Sequence, residues 1–358
     1  DNYLKAIYNI GISYNYLGDY IQVSNYMLDY IDLANNNGDS ADRQIAAAYS
    51  ALIGAAVECK DFENFTEYAN RIQGVLSSNR NAITGDDLIR LYINIGVGFI
   101  RMGDYSKSRV YLEQAESLFR NSRKEADADY INLINSLAVT YSYLGLPEKE
   151  EEYYRKGIEF ALKENSFLGF NMVNSYAIKL GNSGNADRGE KLLAQMVERA
   201  GHWYGTDSRH YIEVLNNYAI YLLSYKKDIE NAIRFFRICT AYLDKNKEDS
   251  GLRFPVMNGY AKALYNGGQP EKALEKIQEL LFPGSDTHED EGLWINPSPE
   301  SLNADRSVLT TLMLKYEILR NMYSSSEDTD ILIAAANTSE LIVFVVDNIR
   351  INISGEES

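Results

Sequence analysis

The stretch NIGVGFIRMGDYSKSRVYLEQA, Asn94 to Ala115, contains a small residue, then Gly-Asp-Tyr, then a second apolar run. The same order stands in NIGISYNYLGDY, Asn9 to Tyr20, so the chain repeats itself. An internal period outranks other signals, because it says that one supersecondary unit has been stacked many times. Taking the Gly-Asp turn as a marker, its equivalents fall at Gly18, Lys60, Gly103, Gly145, Gly184, Lys227 and Gly268, a period of about 42 residues in which lysine twice replaces glycine. Seven residues before most markers stands a small residue: Gly11, Gly96, Ala138, Ala177 and Ala261, with Ala219 one place earlier in its unit. Five after the marker come Val23, Phe65, Ser108, Glu150, Gly189, Ala232 and Ala273. Small residues let two antiparallel helices approach closely, and an aromatic just after the turn (Tyr20, Phe62, Tyr105) packs back over them. Each unit therefore reads as a helical hairpin.

This grammar resembles the tetratricopeptide repeat (TPR), and its longer unit resembles the extended version found in kinesin light chain. YGTDSRHYIEVLNNYAIYL, Tyr204 to Leu222, is similar to that variant. Leu146-Pro147, Asn185-Ala186 and Gln269-Pro270 depart from the Asp-Tyr pattern, and Glu150 stands where a small residue is expected. The resemblance implies an all-α, right-handed superhelical solenoid of about eight helical hairpins over residues 1–358, binding its ligands in the concave groove lined by the first helix of each hairpin.

One interruption, Phe282 to Asp305, is rich in Pro, Gly, Ser and acids and reads as a loop; two amphipathic helices within 306–351 then form a capping hairpin. LFP, NPSPESL, LKYEILRNMY and the closing LIVFVVDNIRINISGEES resemble, in that order, the region that ends the repeats of bacterial proteins carrying a CHAT domain, a caspase-like module. That resemblance implies a further domain after Ser358 and a regulatory role for this region toward it. The rival expectations are the sensing region of a histidine kinase or transcription regulator, and a free-standing scaffold or co-chaperone.

Composition narrows the function. The chain is 45% hydrophobic with 28 Tyr, enough for a large core, and most of the tyrosines fall at packing positions such as Tyr14, Tyr20, Tyr105 and Tyr141. A net charge of −16 opposes a phosphate-binding surface, so nucleic acid is not expected as a partner. Cys59 and Cys239 lie far apart inside helical patterns, which suits a reducing, cytoplasmic setting; with Asp at position 1, a removed signal peptide stays open. The apolar run Leu341 to Val346 is too short to cross a membrane, and no unbroken apolar run of 18 residues exists.

Chemistry-bearing patterns are sparse. His202, His210 and His288 lack zinc spacing, Cys239 sits in the core pattern FFRICTAYL, and the acids Asp286, Glu289, Asp290 and Glu291 lack the glycine of a calcium loop. The sequence thus predicts no enzyme, metal or cofactor, but a module for a protein or peptide ligand. Three residues before the small position, four consecutive units carry asparagine: Asn135, Asn174, Asn216 and Asn258. An amide both donates and accepts, so such a ladder can track the backbone of an extended peptide. Equally, it can hydrogen-bond across neighbouring helices and hold the repeats in register. Further groove candidates, seven and eight residues on, are Ser142 and Tyr143, Gly181 and Asn182, Leu223 and Ser224, and Tyr265 and Asn266. Lys5, Arg90, Arg101 and Lys262 are too scattered to clamp a carboxylate.

Overall fold

A computed structural model describes residues 2–36, 42–78, 85–122, 128–164, 167–247, 250–282, 290–302 and 305–354. Asp286, His288, Glu289 and the closing Glu357-Ser358 of the sequence analysis lie outside the described residues. Every regular element among those described is helical. The helices pack into two compact units, Asp1–Val173 and Asn174–Ser358.

The first unit holds the hairpins α1 (Asn2–Leu17) with α2 (Tyr20–Asn36), α3 (Asp42–Cys59) with α4 (Phe62–Ser78), α5 (Asp86–Met102) with α6 (Tyr105–Ser122) and α7 (Ala128–Tyr143) with α8 (Pro147–Glu164), and the start of α9 (Phe167–Asn182). The second holds the rest of α9, α10 (Ala186–Tyr204), α11 (Arg209–Tyr221), α12 (Ile229–Lys245), α13 (Ser250–Asn266), α14 (Pro270–Leu281), α15 (Arg306–Ser326) and α16 (Thr329–Ser354).

The turn within each hairpin follows from its residues. All seven markers have positive φ, from 56° at Lys227 to 81° at Gly184. Gly103 shows the geometry: its N–H bonds Ile100 O at 3.0 Å, the Asp104 N–H bonds Phe99 O at 2.9 Å, and the last carbonyls of α5 are satisfied. Asp104 then caps α6, its Oδ1 accepting from the Lys107 N–H at 3.0 Å, a bond that holds the carboxyl below its usual range. Asp19, Asp61 and Asp228 cap α2, α4 and α12 in the same way. Gly-Asp is therefore a helix stop joined to a helix start. Where Asp is missing, Pro147 and Pro270 open α8 and α14 instead, a position at which the absent N–H costs nothing. The eighth turn is Glu327, φ 56°, which carries no glycine to announce it.

The small positions are buried as their spacing requires, Ala138, Ala177, Ala219, Ala232, Ala261 and Ala273 among them. A Cβ added at Gly96 would stand 2.6 Å from the Leu112 side chain. Val23, Phe65 and Glu150 are buried at equivalent positions without being small, and Phe65 fits because Gly98 of the following hairpin leaves its ring room. Many tyrosines are core residues, as expected. Tyr14 stacks on Tyr26, and Tyr141 stacks on Tyr153 while its hydroxyl donates to Glu113 at 2.6 Å.

The described part of the interruption, residues 290–302, is loop-like, as read, but tightly held. Two short 3-10 turns, Asp290–Leu293 and Pro299–Ser301, flank a segment that crosses α14, α15 and α16. Lys315 of α15 is fully buried and gives its three N–H bonds to Ile295 O (2.5 Å), Asn296 Oδ1 (2.9 Å) and Gln278 Oε1 (3.3 Å). Asn296 in turn donates to Thr338 of α16 at 3.1 Å.

Thr329–Ile349 of α16, with a mean hydropathy of 1.6, is long and apolar enough by length and composition to cross a membrane. It holds no unbroken apolar run of 18 residues, because Asn337, Thr338, Ser339 and Glu340 interrupt the apolar residues without lowering the average enough. The helix packs on α15, burying Ile331, Ala334, Ala335, Leu341 and Val345.

Candidate functional site

In the second unit a groove of about 930 Å³ lies between α11, α13 and α15. Three local features build it. At its C-terminal end α11 widens into a π-helical turn, Leu222–Lys226, closed by Lys227 in the left-handed conformation. That turn presents Leu223 and Ser224 to the groove while Tyr225 packs on Gly181 and Lys226 reaches Asp187 and Glu190. Widened turns of this kind are rare and often accompany functional sites. Pro255 sits inside α13, where it cannot donate a helical hydrogen bond, and with Phe254 it forms part of the groove wall. The N-terminal half of α15, capped by the Asp305 carboxylate, brings Arg306, Ser307, Thr310, Met313 and Leu314 to the opposite wall.

Cross-helix pairs set α13 and α15 parallel: Asn258 with Thr311, Lys262 with Glu317, Tyr265 with Asn321. Lys262 Nζ lies 2.6 and 2.8 Å from the two Glu317 oxygens and 5.4 Å from the centre of the Tyr265 ring. This ion pair closes one end of the groove. Arg306, eleven residues before Glu317, stands at the other end, about 16 Å away at 1.5 Å per residue. Between them the wall is mostly apolar, with Ile220 and Met313 well exposed. Asn258 lines the groove: its Nδ2 donates to Thr311 Oγ1 at 2.9 Å, and its buried Oδ1 has no hydrogen-bond partner. A buried carbonyl oxygen left unpaired is a costly exception in a folded chain.

The predicted residues divide. Asn135 lies in the first unit, and Asn174, Asn216 and Asn258 in the second. The Oδ1 atoms of Asn135, Asn216 and Asn258 are all buried and unpartnered, so three of the four ladder residues share this feature, and of the ladder Asn258 lines the groove. The second set lies at the turn edge and is largely engaged with neighbouring hairpins. Tyr143 stacks on Tyr105 at 4.3 Å and 2°. Asn182 accepts from the Tyr225 hydroxyl at 2.9 Å, and Tyr265 accepts from Asn321. Asn266 ends α13 exposed, and Leu223 and Ser224 do line the groove. The sequence reading overlooked Ile220, Phe254, Pro255, Arg306, Met313 and Glu317; a proline inside a helical pattern at 255 was the available signal.

Catalytic signals stay weak. Burial pushes the Cys239 thiol up to about 12, and its Sγ faces Ile212 O. His210 stacks on Tyr204. Among the described residues no group of three or more His, Cys, Asp or Glu is placed to hold a metal ion.

Comparison with known proteins agrees with this architecture. Residues 131–163, spanning most of α7 and most of α8, match the tetratricopeptide repeat family model. No curated protein sequence is significantly similar to the chain. Among solved structures, the apo form of RapI is 12% identical, with 99% of each chain covered and a TM-score of 0.56. BtubC (BKLC) from P. vanneervenii is 16% identical over 63% of this chain and 89% of its own, with a TM-score of 0.46. A Podosopora anserina kinesin light chain protein of nearly identical TPR-like repeats is 12% identical over 71% of this chain and 97% of its own, with a TM-score of 0.37. Only the first is similar enough in course to bear on the fold. The chain thus has an all-α fold of repeated helix pairs, like these solenoid proteins, and carries a tetratricopeptide match at residues 131–163.

Proposed function

We propose that this chain is a non-catalytic protein-binding scaffold or sensing module, and that the groove between α11, α13 and α15 receives an extended peptide. The observation that carries the reading is the mostly apolar wall of the groove, with Ile220 and Met313 exposed in it. Apolar side chains of a bound peptide would cover Ile220 and Met313. At about 3.3 Å per residue, a groove of about 16 Å holds roughly five extended residues.

The test is a peptide array followed by calorimetry on the best binder. Met313→Arg and Ile220→Arg, both at exposed positions, should weaken binding at least tenfold without lowering the melting temperature. Unchanged affinity in both variants sinks the assignment of the groove. The resemblance of the C-terminal sequence to CHAT proteins supports a finer reading, in which occupancy controls a caspase-like domain of the same protein. Its test is substrate cleavage by the full-length protein with and without the groove peptide; equal rates reject it.

A further inference from the structure

The outer face of α16 is the least expected surface of the second unit. Its inner face is committed to α15, yet Leu332 (43%), Ile333 (52%), Val343 (60%) and Phe344 (39%) are exposed on the other side. They fall at helical spacing along one stripe, with Ala336 and Glu340 between them, for about 18 Å of axis. A contiguous apolar stripe on exposed helix marks a docking surface.

Charge selects the occupant. From Asn321 to Ile349 there is no lysine or arginine, while Glu327, Asp328, Asp330 and Glu340 are exposed. Glu340 stands within the stripe, four residues before Phe344. A second copy laid antiparallel on this face would bring acid against acid near the centre, and an anionic membrane would repel it. We propose that the outer face of α16 docks a partner helix with an apolar stripe and lysine or arginine beside it, one cation meeting Glu340. The recognition mode is helix on helix, read through positions spaced three and four apart. This surface is separate from the groove and does not depend on how the groove is read.

The test uses the whole chain and two labelled 20-residue amphipathic helical peptides with the same leucine stripe, one flanked by lysine and one by glutamate. Fluorescence anisotropy should show the lysine peptide binding at least tenfold more tightly. The double change Val343→Ser with Phe344→Ser should reduce that binding at least tenfold while leaving the melting temperature unchanged. Glu340→Lys should shift preference toward the glutamate peptide. Met313→Arg in the groove should change nothing. The proposal is overturned if the lysine peptide binds no better than the glutamate peptide, if the serine variant binds as well as wild type, or if Met313→Arg abolishes binding. Two further results also overturn it: a concentration-dependent dimer lost in the serine variant, which assigns the face to a second copy, and retention on neutral phosphatidylcholine vesicles lost in that variant, which assigns it to a bilayer.

Discussion

Phe65 fills its site only because residue 98 has no side chain: a Cβ there would stand 2.1 Å from the ring. Gly98→Ala should therefore cost about 1–3 kcal/mol through overpacking. Gly54 is also in mid-helix, but nothing lies within 4 Å of the position its Cβ would take. Gly54→Ala should stabilise by about 0.5–1 kcal/mol, because only the backbone preference changes. Denaturant unfolding of the two variants gives opposite signs if these contacts are as described; equal shifts would refute the account. Both glycines look alike in the sequence. What separates them is a ring from the preceding hairpin, 33 residues away, which no local pattern reports.

At the scale of elements, Lys315 ties α15 to α14 and to the crossing segment, where three neutral oxygens accept its three N–H bonds. Burial pushes its pKa from 10.5 down to about 7. A base whose pKa falls on folding binds fewer protons in the folded chain across that window. Its destabilising effect is complete below about pH 7 and disappears as pH rises through 10.5, so its contribution to stability improves with alkalinity. Lys315→Met removes the titration, and every other group cancels in the comparison. Urea unfolding at pH 7 and pH 9.5 should show wild type gaining on the variant at the higher pH. A difference independent of pH would mean that the amine keeps one charge state throughout. From sequence, Lys315 in LKYEILRNMY is an ordinary helical lysine. Its burial depends on the segment around Asn296 folding back over it, about twenty residues earlier in the chain.

For the molecule as a whole, a net charge of −16 acts as self-repulsion in the folded chain. The surface ion pairs, such as Arg71–Glu67 and Arg155–Glu159, are exposed i, i+4 pairs of small individual worth. Repulsion should therefore dominate, and raising sodium chloride from 10 to 300 mM should raise the melting temperature by a few degrees as screening grows. A melting temperature that falls with salt would show that attractive pairs outweigh the excess of acid.

Period, helix ends and turn conformation were determined by the sequence alone. They depend on neighbours within one turn of helix: a residue with positive φ, a carboxylate capping the next helix, a missing Cβ where two helices meet. Even Lys60 and Lys227 were located correctly, because their place in the period requires a left-handed residue whatever its side chain. The tertiary structure alone decided which asparagine lines the groove, that Tyr143, Asn182 and Tyr265 are engaged with adjacent hairpins, and that the last helix keeps an apolar outer stripe. Those outcomes join residues tens of positions apart, 53 in the case of Asn258 and Thr311. Side chains so separated meet only once each hairpin has taken its angle on the next, and packing along the whole helical surface sets that angle.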